Sequence, residues 1–406
     1  MLTSERIAAA RERIRDVLYY SPCQISHDLS ELAGHPIYLK LENLQRTGAF
    51  KERGALNRLL QLTPEERVHG VIAASAGNHA QGVAFHAARL GIRARIVMPQ
   101  PTPLVKVSAT RGFGAEVILH GANYDEACDE ATRLQQEKQL TFIHPFDDDE
   151  VIAGQGTIGL EVLEQLPDVE AIVVPIGGGG LIAGNAIAAR AVRPAIEIVG
   201  VECTLYPSMW NAVHSRNKPC GGATLAEGIA VSRAGKLALP VVRELVREII
   251  LVDEPLIERA VNIFLTLQKT MAEGAGAAGL AAMLADPNRF ADRKVGLILC
   301  GGNIDPRILA SIMVRELERE TRIVSFRLTI PDRPGILGQI ASRLGEFGAN
   351  ILAVDHHRLF LDVPAKGAKL DVTMETRDAA HADQIFRALA DDGYEPVRME
   401  SGAVLQ

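Results

Sequence analysis

Residues 171–189, AIVVPIGGGGLIAGNAIAA, carry no charged side chain. That length approaches a membrane span, but Pro175 and four consecutive glycines, Gly177, Gly178, Gly179 and Gly180, interrupt it. A spanning helix would not survive them. The stretch reads instead as a buried strand over 171–175, a glycine loop, and a helix from Leu181 onwards. This is the βα half of a βαβ unit, which implies a mostly parallel sheet with both faces covered.

The pattern recurs. Strands are predicted at 70–74, 94–98, 115–119, 197–201 and 295–299, with helical periodicity between several of them, for instance over 79–90. Strand–loop–helix junctions of this type bring glycine loops and helix N-termini to the carboxyl edge of a sheet, where ligands sit. A charged stretch at 315–322 (RELERETR) then marks a helix end and linker. Beyond it the order changes to strand 323–330, helix 335–347, strand 351–357, strand 369–376, helix 379–391 and a last strand at 395–399. That β-α-β-β-α-β order describes a small ferredoxin-like α+β domain. The 406 residues thus divide into an α/β part, 1–320, and an appendix, 323–406.

Charge narrows the function classes. Lys and Arg number 43 against 50 Asp and Glu, a net charge of −7 without a basic block. Nucleic acid and anionic membrane are poor partners for such a chain. The five cysteines are odd in number and scattered, with no Cys-x-x-Cys pair, which argues against a disulfide framework or structural zinc. The N-terminus is charged throughout and lacks an apolar signal core, so a cytoplasmic protein is expected.

Three constellations carry chemistry. Four consecutive glycines before a helix exceed what a tight turn needs, and the helix start offers free N–H groups to a phosphate. The loop is neither G-x-G-x-x-G nor a P-loop, which turns attention from nucleotides to another phosphorylated cofactor. Ser75-Ala76-Gly77-Asn78-His79, also between a strand and a helix, makes a carboxylate cradle, or simply a capped helix. Lys51, in a weakly charged segment, is either a solvated lysine at a helix start or, in company with those loops, the Schiff-base lysine of a pyridoxal phosphate site.

LENLQRTGAFKERGA (41–55), ASAGNHAQGVA (74–84), PIGGGGLIAG (175–184) and LCGGNID (299–305), in this order and spacing, resemble the fold-type II pyridoxal-phosphate enzymes, and most of all the threonine ammonia-lyases. The resemblance covers about residues 5–320. It implies a tryptophan-synthase-β-like catalytic part with two parallel-sheet subdomains, the smaller (about 48–150) inserted in the larger. In the tail, Asp332-Arg333-Pro334-Gly335-Ile336-Leu337 and Gly348-Ala349-Asn350-Ile351 resemble an ACT regulatory domain.

Carried over by position, the resemblance implies that Lys51 forms the Schiff base and removes the substrate α-proton. Phe50 packs on the cofactor ring and Asn78 bonds its hydroxyl. Gly177, Gly178, Gly179, Gly180 and Leu181 hold the phosphate; Gly228 and Glu273 lie at the pocket. Ser75, Ala76, Gly77, Asn78 and His79 form the substrate-carboxylate loop. Cys300 stands where relatives place a serine or threonine facing the pyridine nitrogen, and a thiol is a weak donor. Ala76 replaces the second serine of the related serine racemases, which favours a lyase. The implied reaction is dehydrative deamination of L-threonine to 2-oxobutanoate and ammonia, with L-serine to pyruvate as side activity. Serine racemase, 3-hydroxyaspartate dehydratase and a non-catalytic amino-acid sensor are the alternatives, and biosynthetic and catabolic roles both stay open.

Glu202 matches a family position for a carboxylate cation ligand, but Ser208 replaces its expected acidic partner, so a bound monovalent or divalent cation and a plain strand-end glutamate are both readings. Asp332, Pro334, Gly335, Ile336, Asn350 and Ile351 mark a pocket for an amino-acid effector such as isoleucine or valine, against a pairing module without ligand. A homodimer or homotetramer is expected.

Overall fold

The computed structural model describes residues 2–358 and 366–399. The chain divides into two units, Met1–Ile304 and Asp305–Gln406. The helix Pro306–Arg319, which the sequence reading attached to the catalytic part, falls within the second unit.

In the first unit the β-branched runs form strands. β1 (Cys23–Ile25) and β2 (Ile37–Leu41) make an antiparallel pair that the periodicity did not reveal. A small sheet follows from β3 (Val71–Ala74), β4 (Ala94–Met98), β5 (Glu116–Leu119) and β6 (Thr141–Phe142), all parallel in the order β5-β4-β3-β6. β7 (Ala171–Pro175), β8 (Glu197–Cys203), β9 (Glu248–Val252) and β10 (Val295–Leu299) complete a larger sheet in the order β1-β2-β10-β7-β8-β9. Apart from the β1 pairing it is parallel throughout. Every residue of β3, β7 and β10 is buried, as expected of strands covered on both faces.

Helices Asp149–Gln165 and Gly180–Val192 pack closely through glycines. A β-carbon on Gly184 would lie 2.5 Å from Ile152 O and 2.7 Å from Gly156 N, so the approach requires glycine there. Among the described residues no helix is long and apolar enough to cross a membrane.

Four of the charged side chains buried in this unit form one network. Arg53 is 1% exposed, Glu42 and Lys40 are 0%, and Glu161 is 6%. Arg53 Nε and Nη2 donate to the two Glu42 oxygens at 2.6 and 2.7 Å, and Nη1 and Nη2 to the two Glu161 oxygens at 2.6 and 2.8 Å. Lys40 Nζ donates to Glu161 Oε2 at 2.6 Å and to Ser21 O at 2.6 Å, and Ser21 Oγ to Glu42 Oε1 at 2.5 Å. Burial alone would raise the Glu42 carboxyl, but Arg53 and Lys40 hold it below the ordinary carboxylate range. Two cations balance two anions, and the hydrogen bonds satisfy what burial would otherwise leave bare.

The second unit contains β11 (Ile323–Pro331), β12 (Asn350–His357), β13 (Gly367–Glu375) and β14 (Val397–Arg398), in the order β12-β13-β11-β14. All pairings are antiparallel. Burial alternates along β11 and β13, and helices Ile336–Glu346 and Ala379–Asp391 supply the rest of one apolar core. The last strand is shorter than the predicted 395–399. Asp332 pairs with Arg358 at 3.5 Å, and Asn350 donates to Glu375 at 3.4 Å. Gly335 takes φ +87° ahead of its helix, next to Pro334. Ile336 lies in the core itself and Ile351 packs against it, so both side chains serve the fold.

Arg53→Ala would leave two buried carboxylates without their main partner. It is expected to destabilise the protein by about 3–5 kcal/mol, read as a lower denaturation midpoint in urea.

Candidate active site

Lys51 begins helix Lys51–Leu60, and the helix is oriented by Arg53, two residues on. Its amine is buried and Nζ donates to Pro145 O at 2.8 Å, 5.3 Å from the Phe50 ring centre. Burial lowers this amine to about 8, with Cys300 and Glu273 opposing the shift. A lysine that is neutral in an appreciable fraction near neutral pH is a competent nucleophile toward an aldehyde.

Two distant stretches cross at this point. Phe50 N donates to Cys300 O at 3.0 Å, Gly302 N to Gly48 O at 3.0 Å, and Ala49 bridges Gly301. Gly48, at φ +74°, lies where a β-carbon would be 2.3 Å from Asn303 Oδ1. The crossing sets Cys300, at the end of β10, beside Lys51. Burial and then Glu273 push the Cys300 thiol well up, so it stays protonated.

The glycine loop lies on the other side of Pro145 and Phe146. A β-carbon on Gly178 would sit 2.2 Å from the Phe146 ring, and one on Gly180 would sit 2.8 Å from Phe146 O. Gly179, at φ +95°, turns the chain into helix Gly180–Val192, whose first N–H groups, Leu181 included, lack intrahelical partners. Gly177 approaches Gly228 O, 3.3 Å from where its β-carbon would be. A β-carbon on Gly228 would lie 3.5 Å from Glu273 Oε1.

Glu273 is the half-buried acid of the site. Asn78 Nδ2 donates to Glu273 Oε1 at 2.6 Å, and Asn303 Nδ2 donates to Asn78 Oδ1 at 2.8 Å, which fixes the Asn78 amide from both ends. Burial raises the Glu273 carboxyl to about 7, against the Asn78 hydrogen bond.

The loop after β3 turns tightly: Ser75 N donates to Val97 O, and Gly77 N to Ser75 Oγ at 3.2 Å. Gly77 caps helix Asn78–Arg89. The Ala76 methyl packs on the apolar cluster of the small sheet. His79 points inward, its Nε2 2.8 Å from Ile143 O, and burial drops its ring to about 3, so it is neutral. Only its backbone N–H, in the first helical turn, is available to a ligand.

Glu202 sits elsewhere, at the end of β8. Its carboxylate accepts from Met209 N and Trp210 N, both at 2.8 Å, and burial raises it to about 7. In this structure it acts as a cap, and among the described residues no three His, Cys, Asp or Glu are grouped to hold a metal ion.

An amine of lowered basicity, a glycine loop packed too closely on Phe146, Met209 and Ala238 to take side chains, and a helix start with free N–H groups suit a ligand bearing an aldehyde and a phosphate. Pyridoxal phosphate fits these residues, and fold and site together define a pyridoxal-phosphate-dependent enzyme. The sequence agrees: residues 14–301 match the family "Pyridoxal-phosphate dependent enzyme" and residues 324–393 the ACT domain. The chain belongs to the pyridoxal-phosphate-dependent enzyme family, with a C-terminal ACT domain.

Among its relatives, the L-threonine ammonia-lyase of Thermotoga maritima is 44% identical over 397 residues, 97% of this chain and 99% of that one. The structure of processed threonine deaminase isoform 2 from Solanum lycopersicum has a TM-score of 0.73 at 37% identity, covering 76% of this chain and 92% of that one. Maize serine racemase also gives a TM-score of 0.73, at 35% identity, covering 79% and 99%.

Sequence reasoning missed Asn303 and the Pro145–Phe146 segment. Asn303 lay inside the quoted LCGGNID motif, whereas Pro145 contributes only a backbone carbonyl, which no residue type announces.

Two outcomes are expected. The apoprotein should capture pyridoxal phosphate faster as pH rises, about tenfold per unit at first and levelling above about 8 as Lys51 deprotonates; stopped-flow absorbance checks this, with Lys51→Ala as the blank. Gly178→Ala should weaken cofactor affinity at least about tenfold, because Phe146 must move; an absorbance titration of the apoprotein reads it.

Proposed function

We propose that this enzyme converts L-threonine to 2-oxobutanoate and ammonia, with L-serine to pyruvate as side activity. The relatives of the preceding section support the reaction class. The observation that carries the choice of lyase over racemase is Ala76: this loop position holds a methyl group packed on the small sheet, and a methyl group has no proton to exchange. Two-sided proton transfer needs a second acid–base group; elimination needs one.

The bound cofactor's contribution is an electron sink for the pair left when the α-proton departs. The protein does the rest. The N–H groups of the Gly177–Gly180 loop and the positive end of its helix hold the phosphate. Phe50 and Gly228 border the ring, and Asn78, fixed by Glu273 and Asn303, addresses the ring hydroxyl. Ser75, Gly77, Asn78 and His79 receive the substrate carboxylate through their turn and first-turn N–H groups. Lys51 Nζ would take the α-proton, and the protonated Cys300 thiol would offer a ring nitrogen only a weak hydrogen bond. The α-proton and the β-hydroxyl would leave together as one water, giving an enamine whose imine tautomer is hydrolysed by water to keto acid and ammonia.

Residues 1–320 act in this reading as the catalytic part and 323–406 as the regulatory part. The regulatory part takes an amino acid, a branched one in the first instance, near Asp332, Pro334, Gly335 and Asn350. The enzyme works as a homodimer or homotetramer in the cytoplasm, where its five free cysteines stay reduced. Glu202 contributes to cation binding only if a cation displaces its capping N–H groups.

Keto-acid release from purified, cofactor-loaded protein tests the reaction. Threonine should be used about 10–200-fold more efficiently than serine, the range one methyl group in an apolar pocket supports. Absence of keto acid from both substrates would overturn the reading.

A further inference from the structure

Two charged side chains at the rim of the site have no part in the mechanism above. Lys106 projects from helix Leu104–Gly112, which follows β4 of the small sheet, and forms an ion pair with Glu227. Glu227 opens the short turn Glu227–Ile229, immediately before Gly228, where a β-carbon would be 3.5 Å from Glu273 Oε1. The pair therefore ties the small sheet to the large one next to the half-buried acid of the site.

Its two ends differ in cover. The Lys106 side chain is 26% exposed and that of Glu227 is 70% exposed. Both charges are felt inside. Burial and the Asn78 hydrogen bond dominate the titration of Glu273, and after them come Lys106, which lowers it, and Glu227, which raises it.

We propose that Glu227 is a specificity-determining residue: by occupying Lys106 it denies a free cation to amino acids with a side-chain carboxylate and reserves the site for neutral hydroxyamino acids. A second carboxylate on the substrate must either displace Glu227 from Lys106 or lie unpaired near Glu227 and Glu273. Both options are repulsive elements built against the wrong ligand. A neutral β-hydroxy side chain meets neither. The inference rests on the amino-acid-substrate reading of the site, and it concerns which side chains the rim admits.

The test uses the cofactor-loaded enzyme and two amino acids without a β-hydroxyl leaving group, L-aspartate and L-2-aminobutyrate, whose dissociation constants are measured by calorimetry at low salt. Glu227→Gln is expected to improve L-aspartate relative to L-2-aminobutyrate by about two- to fivefold, the scale of one largely exposed charge pair. Adding Lys106→Met to that variant should abolish the gain. A ratio unchanged by Glu227→Gln, an equal gain in the double variant, or no measurable L-aspartate binding to Glu227→Gln would overturn the proposal. Threonine deamination by the unaltered enzyme is measured alongside. Its absence, with the binding ratio shifted as expected, would overturn the proposed reaction and leave the charge gate standing.

Discussion

The paired charges of Lys40, Glu42, Arg53 and Glu161 are the interaction on which the catalytic unit depends. They join β2, the turn after it, the helix that begins with Lys51, and the helix Asp149–Gln165. Removing charges from water is costly, and the arrangement holds because each carboxylate receives donors at both oxygens. Such a network is intolerant of partial occupancy, and this stiffens the helix at the end where Lys51 sits. Helix Asp149–Gln165 also packs against helix Gly180–Val192, so one group of charges indirectly relates the lysine to the phosphate loop.

Asn78 shows a related economy on a smaller scale. Its amide has two ends, and Glu273 and Asn303 take one each. The carboxyl that fixes Asn78 is itself raised by burial to about 7, so the orientation of Asn78 and the protonation of Glu273 are linked. The protein places a titratable group next to the cofactor pocket and assigns it to hold a neighbour.

Much of this was legible in the sequence. The glycine loop, Lys51 and the Ser75–His79 turn announce themselves because each needs a rare local composition at a strand–helix junction; in the structure Lys51 meets Pro145, the glycine loop meets Phe146, and Asn78 meets Glu273. Six of the ten strands of the first unit, β3, β4, β5, β7, β8 and β10, and the antiparallel tail follow from β-branched runs and alternation. The charged quartet did not show, because periodicity treats Arg53, Glu42, Lys40 and Glu161 as surface residues; their partners lie up to 121 positions away. β1 escapes because a three-residue strand has no period to detect, and β2, β6 and β9 likewise are not among the predicted strands. Glu202 was read as a ligand or a strand-end acid, and the backbone N–H groups it caps carry no sequence signal.

The crossing of residues 48–50 with 300–303 bears on how the enzyme is made. The lysine is synthesised early, yet the carbonyl of Cys300 and the amide of Asn303 that complete its surroundings come some 250 residues later. A nascent chain emerging from the ribosome carries Lys51 for most of its synthesis as an ordinary exposed amine, without the dry pocket that makes it reactive. The surroundings of the lysine are thereby complete only when β10 has joined the sheet. A chain truncated before that strand cannot build the pocket, so possession of the cofactor is a mark of a catalytic unit that has folded to its end.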